Sequence, residues 1–227
     1  MYTTWSSDLP PADAAREERA LTFDQGRERR ILVLAPLFSE HNTMRHQLVE
    51  IMRRLDGAGI DSTLPDLPGC GESMALLKDQ TLSGWRCAMA DYASTFGTTE
   101  VFAVRGGTAL LPDGIPAFVY GAVDASKILR TMIRARSIAS REAGRTERID
   151  EILERGRRDG VELAGYRPGP DMVRELDEAV LELPRRARII DQVEIGGSPL
   201  WLQAEPADHP EHADALAALI AVSPQLS

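Results

Sequence analysis

Cysteine is scarce: Cys70 and Cys87 are the only two in 227 residues. Two thiols cannot form a disulfide framework, and the count fits a cytoplasmic setting. Positive charge is also in short supply, with 26 Lys and Arg against 35 Asp and Glu and a formal net charge of -9. That balance argues against nucleic-acid partners, because phosphate needs a compensating basic surface. No apolar run is long enough to span a bilayer, so no transmembrane segment is expected. No glycine-rich phosphate loop, paired-cysteine zinc spacing or dinucleotide fingerprint occurs, so neither a metal nor a cofactor is expected. Residues Met1 to Arg19 lack an apolar signal-peptide core and read as a loose leader.

What remains is an ordinary globular composition, 43% hydrophobic and 27% charged, with mass for one core. We expect a single domain over residues 20–227. Ala20–Phe23 and Arg30–Ala35, joined through Asp24-Gln25-Gly26, read as a hairpin. The second run is continuously apolar, as in a strand buried on both faces. A helix follows, carrying Met44, Leu48, Ile51, Met52 and Leu55 on one face. Ile60–Leu67 reads as a strand, and Leu82, Trp85, Met89, Tyr92 and Phe96 mark a second helix. Val101–Val104 and Ala117–Tyr120 are further strands. Strands alternating with helices imply parallel pairing through right-handed crossovers.

The alternation stops after Val123. Asp124–Gly160 reads as helices only, with ten Lys or Arg and seven Asp or Glu. We expect a helical cap insertion there, about 124–160, whose basic residues face solvent, an anionic surface or a partner. Val161–Tyr166 reads as a short strand and Met172–Leu183 as a helix. Arg188–Ile195 and Leu200–Ala204 read as extended runs, and Leu216, Leu219 and Ile220 carry a last helix.

The segment Val101–Thr108 resembles a nucleophile elbow, in which a strand enters a tight turn of pattern G-x-S-x-G. Ala103 and Gly107 occupy the outer glycine positions, and Arg105 stands at the centre. A guanidinium cannot be deprotonated in a protein and cannot attack a carbonyl. Arg105 therefore reads either as an anion anchor, beside Gly106, or as an internal tie to Glu40 or Asp66.

Four stretches carry a wider likeness: Leu34–Arg45, the D-L-P-G-C-G-E-S loop ending at Ser73, Val104-Arg105, and Val161–Arg167. They resemble the α/β-hydrolase superfamily. More narrowly, they resemble the hydrolase-like proteins associated with exosortase A systems (type 2), which accompany bacterial exopolysaccharide production. The resemblance spans about Arg30 to Leu183. It implies an α/β-hydrolase-like fold with a mostly parallel central sheet flanked by helices. It also implies a hydrolase of an ester or acyl bond linked to exopolysaccharide production, acting on a small-molecule or anionic ligand. The partner it implies is a second copy of the chain or a component of the exopolysaccharide machinery. The alternative is a catalytically inactive relative that binds an anionic ligand or acts in assembly.

Candidate chemistry is confined to few residues. Glu40 and His41, after the first core strand, are a candidate acid–base pair, with Asn42 and Arg45 as ligand-binding neighbours. The alternative for this loop is that Asn42 or Thr43 caps the following helix. Cys70 is the one conventional nucleophile near the expected crevice, in a Cys-His or Cys-His-Glu site, or else a small residue filling a turn. Cys87 reads as a buried packing residue. His209 and His212 stand where such folds carry a catalytic histidine, yet no triad acid accompanies them, and they read as surface or capping residues.

Overall fold

The computed structural model describes residues 1–7, 16–202 and 208–223. Seven strands form one sheet: β1 (Tyr2–Ser7), β2 (Arg16–Phe23), β3 (Arg30–Leu34), β4 (Asp61–Pro65), β5 (Glu100–Val104), β6 (Ala117–Tyr120) and β7 (Ala187–Ile190). Their spatial order is β1-β2-β4-β3-β5-β6-β7. Pairing is antiparallel at β1–β2 and β2–β4 and parallel from β4 to β7. Seven helices accompany it: α1 (Ser39–Gly57), α2 (Leu82–Phe96), α3 (Ala125–Glu142), α4 (Ile149–Asp159), α5 (Pro170–Glu178), α6 (Gln192–Ile195) and α7 (Pro210–Val222).

The central strands are apolar because both faces of the sheet are covered. Side chains alternate across a strand. Leu32, Leu34, Val101, Ala103, Ala117 and Val119 pack on one face, with residues of α2, α3 and α5. Ile31, Val33, Phe102, Val104, Phe118 and Tyr120 pack on the other, with α1 and α7. Trp85 of α2 is completely buried, and its indole N–H donates to the Pro68 carbonyl at 2.9 Å. This bond fixes α2 to the D-L-P-G-C-G loop.

Several expectations from the sequence are corrected. The loose-leader expectation fails where those residues are described, because Tyr2–Ser7 is β1 and pairs with β2 from Tyr2↔Leu21 to Ser7↔Arg16; residues 8–15 lie outside the described segments. Trp5 packs edge-on against Tyr92, their centroids 5.1 Å apart. Nor do residues 20–23 and 30–35 form a hairpin, since β4 lies between β2 and β3. The connecting loop is tied instead to buried Asp61, which accepts from the Gln25 and Arg27 backbone N–H groups at 3.0 and 2.8 Å. Of the 188–195 run only Arg188–Ile190 is strand, as β7 stops at Ile190, and the remaining residues turn into a short helix. Asp191 and Glu194 close a capping box that starts α6. Leu200–Leu202 is a 3-10 turn, and residues 203 and 204 lie outside the described segments. Helix α5 ends at Glu178, short of Leu183, which precedes Pro184 and is thereby biased away from helix. Residues 161–166 hold a single antiparallel bridge, Leu163↔Tyr166.

Helices α3, α4 and α5 pack on one another over the sheet's α2 side. Glu147, in the α3–α4 link, accepts hydrogen bonds from Arg136, Ser140 and Arg155. These donors, Arg136 first, hold its carboxyl well below the usual carboxylate range. No helix among the described residues is long and apolar enough to cross a membrane.

Replacing Trp85 with alanine removes both the buried ring and its bond to Pro68. We expect a loss of roughly 3–5 kcal/mol in urea unfolding. A loss under about 1 kcal/mol would show that the loop and α2 are held otherwise.

Candidate functional site

The carboxyl ends of β3, β5 and β6 meet at one edge, the crevice position of an open α/β sheet. β5 runs into a 3-10 turn, Arg105–Leu110, and Arg105 itself has φ 53°. A left-handed backbone at a bulky residue is strained, and it throws the side chain out of the strand direction. Gly107 makes the turn sterically allowed, because a Cβ there would sit 2.3 Å from the Leu34 carbonyl oxygen and 2.5 Å from that of Ala35. Gly106 is closed in by α3, where an added Cβ would meet Ile128 at 2.3 Å.

The Arg105 guanidinium is already engaged. Nε and Nη2 donate to the two carboxylate oxygens of Glu40, each at 3.0 Å. Nη1 donates to the Gly121 carbonyl, just past β6, at 3.1 Å. The guanidinium carbon lies 4.7 Å from the centroid of the Trp201 ring, within cation–π range. Both side chains of the ion pair are mostly buried, 17% and 24% exposed. Of the two acids expected as an internal tie, it is Glu40 that meets Arg105.

Glu40 and His41 do not form an acid–base pair. They follow Phe38, whose φ of 56° turns the chain sharply into α1, and their side chains diverge. His41 faces Arg45, with Nε2 2.9 Å from Nη1, and Arg45 Nη1 donates to Asp66 at 2.8 Å. Burial, then the neighbouring Arg45 charge, lowers the His41 pKa to about 4. Asn42 donates to the Tyr166 hydroxyl at 3.3 Å. Neither Asn42 nor Thr43 caps α1, whose N-cap position is Phe38 with no side-chain bond.

Of the two thiols, Cys87 departs from its expected buried environment. Cys87 is exposed on α2, because its position falls on the solvent side of the helix. Cys70 is partly buried against the core. Burial, then the nearby Asp66 and Glu18 carboxylates, pushes its thiol up to about 12. A thiol so raised stays protonated and is a poor nucleophile. At the C-terminal end, His209 is the N-cap of α7 without a side-chain cap bond. His212 is buried rather than surface-exposed, at 8%. The two rings lie 5.4 Å apart and line a separate cavity with Gly197 and Asp208, away from Arg105.

Sequence reasoning named Arg105 and Glu40 but not Gly121 or Trp201, which complete the guanidinium's surroundings. A Cβ on Gly121 would lie 2.4 Å from the Trp201 ring. The glycine and tryptophan therefore form a fitted pair that no local pattern announces.

No protein-family model matches the chain, and none of the curated proteins compared is significantly similar to it. Solved structures do match. Alpha/beta hydrolase domain-containing protein 10 from mouse is 15% identical, with a TM-score of 0.52 over 78% of this chain and 69% of that one. Est1E from Butyrivibrio proteoclasticus, solved with ferulic acid bound, is 18% identical, with a TM-score of 0.49 over 71% and 67%. At such identities the likeness concerns the fold, and the fold is that of the α/β-hydrolases.

Two measurements test this geometry. Glu40→Gln leaves a partly buried guanidinium without its counter-charge. We expect a loss of about 1–3 kcal/mol, less in the Arg105→Met/Glu40→Gln double variant. Additive losses would mean that the pair does not couple. The second test uses pH. His41 is neutral in the fold, but the unfolded chain takes up its proton near the ordinary value of 6.5. Its contribution is present above that pH and is lost as pH falls toward 4, by up to about 3 kcal/mol. His41→Gln flattens this slope, and an unchanged slope would place the titration elsewhere.

Proposed function

We propose that this chain is a hydrolase-fold protein without serine-type acyl transfer, which acts by binding or assembly in bacterial exopolysaccharide production. The observation that carries this reading is the double-pronged Glu40–Arg105 bond at the turn after β5. The residue at that turn has no transferable proton, and the nearest carboxylate is bonded to it through both oxygens. The covalent route of this fold depends on nucleophile and base acting as a unit, so removing the hydroxyl removes the route.

The alternative groups add little to a hydrolytic reading. Cys70 is held as a thiol. The His41 lone pair at Nε2 is directed at Arg45, and an imidazole with a pKa about 4 is a weak base at neutral pH. The link to exopolysaccharide production and the cytoplasmic location rest on the sequence resemblance and on cysteine usage. The same resemblance supplies the candidate partners: a second copy of the chain or a component of that machinery.

Intact-mass spectrometry after treatment with a fluorophosphonate tests the reading. We expect no adduct, and turnover of p-nitrophenyl acetate and butyrate at the buffer rate. Arg105→Ser stays equally inactive, since no histidine is bonded at that turn. A stoichiometric serine adduct, or ester turnover that disappears in Glu40→Gln, would falsify the proposal.

A further inference from the structure

We propose that the cavity between the first turn of α1 and the β1–β2 hairpin is a binding site for a neutral saccharide. The cavity measures about 440 Å³ and is lined by Tyr2, Arg19, His41, Asn42, Arg45 and Glu72, with Gly71. Neither Glu40 nor Arg105 lines it. The proposal therefore stands on its own, whatever the chemistry at the turn after β5.

Charge is balanced within the cavity wall. Arg45 pairs with buried Asp66 at 2.8 Å, and Arg19 with Glu72 at 3.5 Å. An anion would have to compete with carboxylates already in place, and a cation with the arginines. The lining has no long aliphatic side chain, which disfavours an acyl chain.

What the wall offers is planar hydrogen-bonding groups of both polarities. Arg45 can only donate, so His41 Nε2 must accept and the ring hydrogen sits on Nδ1. That Nδ1–H has no acceptor among the described residues. The two guanidinium groups present further donors. Asn42 spends an amide hydrogen on Tyr166, which leaves its carbonyl oxygen as an acceptor, and the Glu72 carboxylate lines the same cavity. A molecule bearing several hydroxyls can satisfy donors and acceptors together without bringing charge into the cavity. Vicinal hydroxyls match the paired atoms of a carboxylate or guanidinium fork.

Tyr2 completes the set. Its side chain is on the edge strand, and the residue is 61% exposed. So large an exposed ring beside polar forks offers an electron-rich face on which the C–H face of a pyranose can rest. An exposed aromatic in a charge-neutral, donor-and-acceptor cavity is the combination a sugar ring satisfies on all sides.

The test is an amide ¹H–¹⁵N titration of the full chain with methyl β-D-glucopyranoside, methyl α-D-mannopyranoside and methyl β-D-galactopyranoside. At least one should give saturable shifts at Asn42, Arg45, Gly71 and Glu72 that persist in high salt. Tyr2→Ala, checked for folding by the same spectrum, should weaken binding roughly tenfold, and Tyr2→Phe should restore it. The proposal is overturned by the absence of saturable shifts with all three glycosides. It is equally overturned by shifts that only acetate or phosphate produces and salt abolishes, or by undiminished affinity in Tyr2→Ala.

Discussion

A guanidinium and a carboxylate, locked fork to fork, organise the carboxyl edge of this molecule's sheet. Each ion pays a desolvation cost that the other largely offsets. The pair therefore fixes three segments at once. It pins the loop after β3 through Glu40, sets the strained turn after β5 through Arg105, and reaches the end of β6 through the Gly121 carbonyl. Trp201 covers the assembly from the C-terminal part of the chain, and the ring fits only because residue 121 lacks a side chain.

That closure changes what the crevice can do. In a serine-dependent hydrolase fold the sharp turn presents a nucleophile to substrate. Here the turn after β5 carries a permanent charge, and its hydrogen-bonding capacity is largely consumed inside the protein. Ile128 of α3 packs onto Gly106 behind it. One open polar volume lies on the β1–β2 side of α1, where His41 and Arg45 look away from the turn. The α1 entry loop thus sends adjacent residues, Glu40 and His41, to two different environments, and the positive φ of Phe38 is the local cause.

The buried parallel strands were legible in the sequence because a strand covered on both faces must be apolar along its whole length, as in Ile31–Leu34 and Val101–Val104. The edge strands were not. β1 reads Tyr-Thr-Thr-Trp-Ser-Ser, in which Trp5 is the one buried residue among Tyr2–Ser6 and most are polar. β2 buries Glu18 and Thr22 beside Ala20, so its pattern does not resemble a core strand. At the site, the identity of residue 105 says only that this side chain cannot itself attack. Which acid would meet it depended on the left-handed turn at Phe38, and Trp201 depended on a contact with no sequence periodicity. Cys87 was misread because an apolar helix stripe does not say where a small residue beside it falls.

The single acid in the α3–α4 link has a mechanical consequence. Glu147 is gripped by Arg136 and Ser140 from one helix and by Arg155 from the next. A shared anchor of that kind makes the two helices a tandem, since sliding one past the other would strip a carboxylate of its donors.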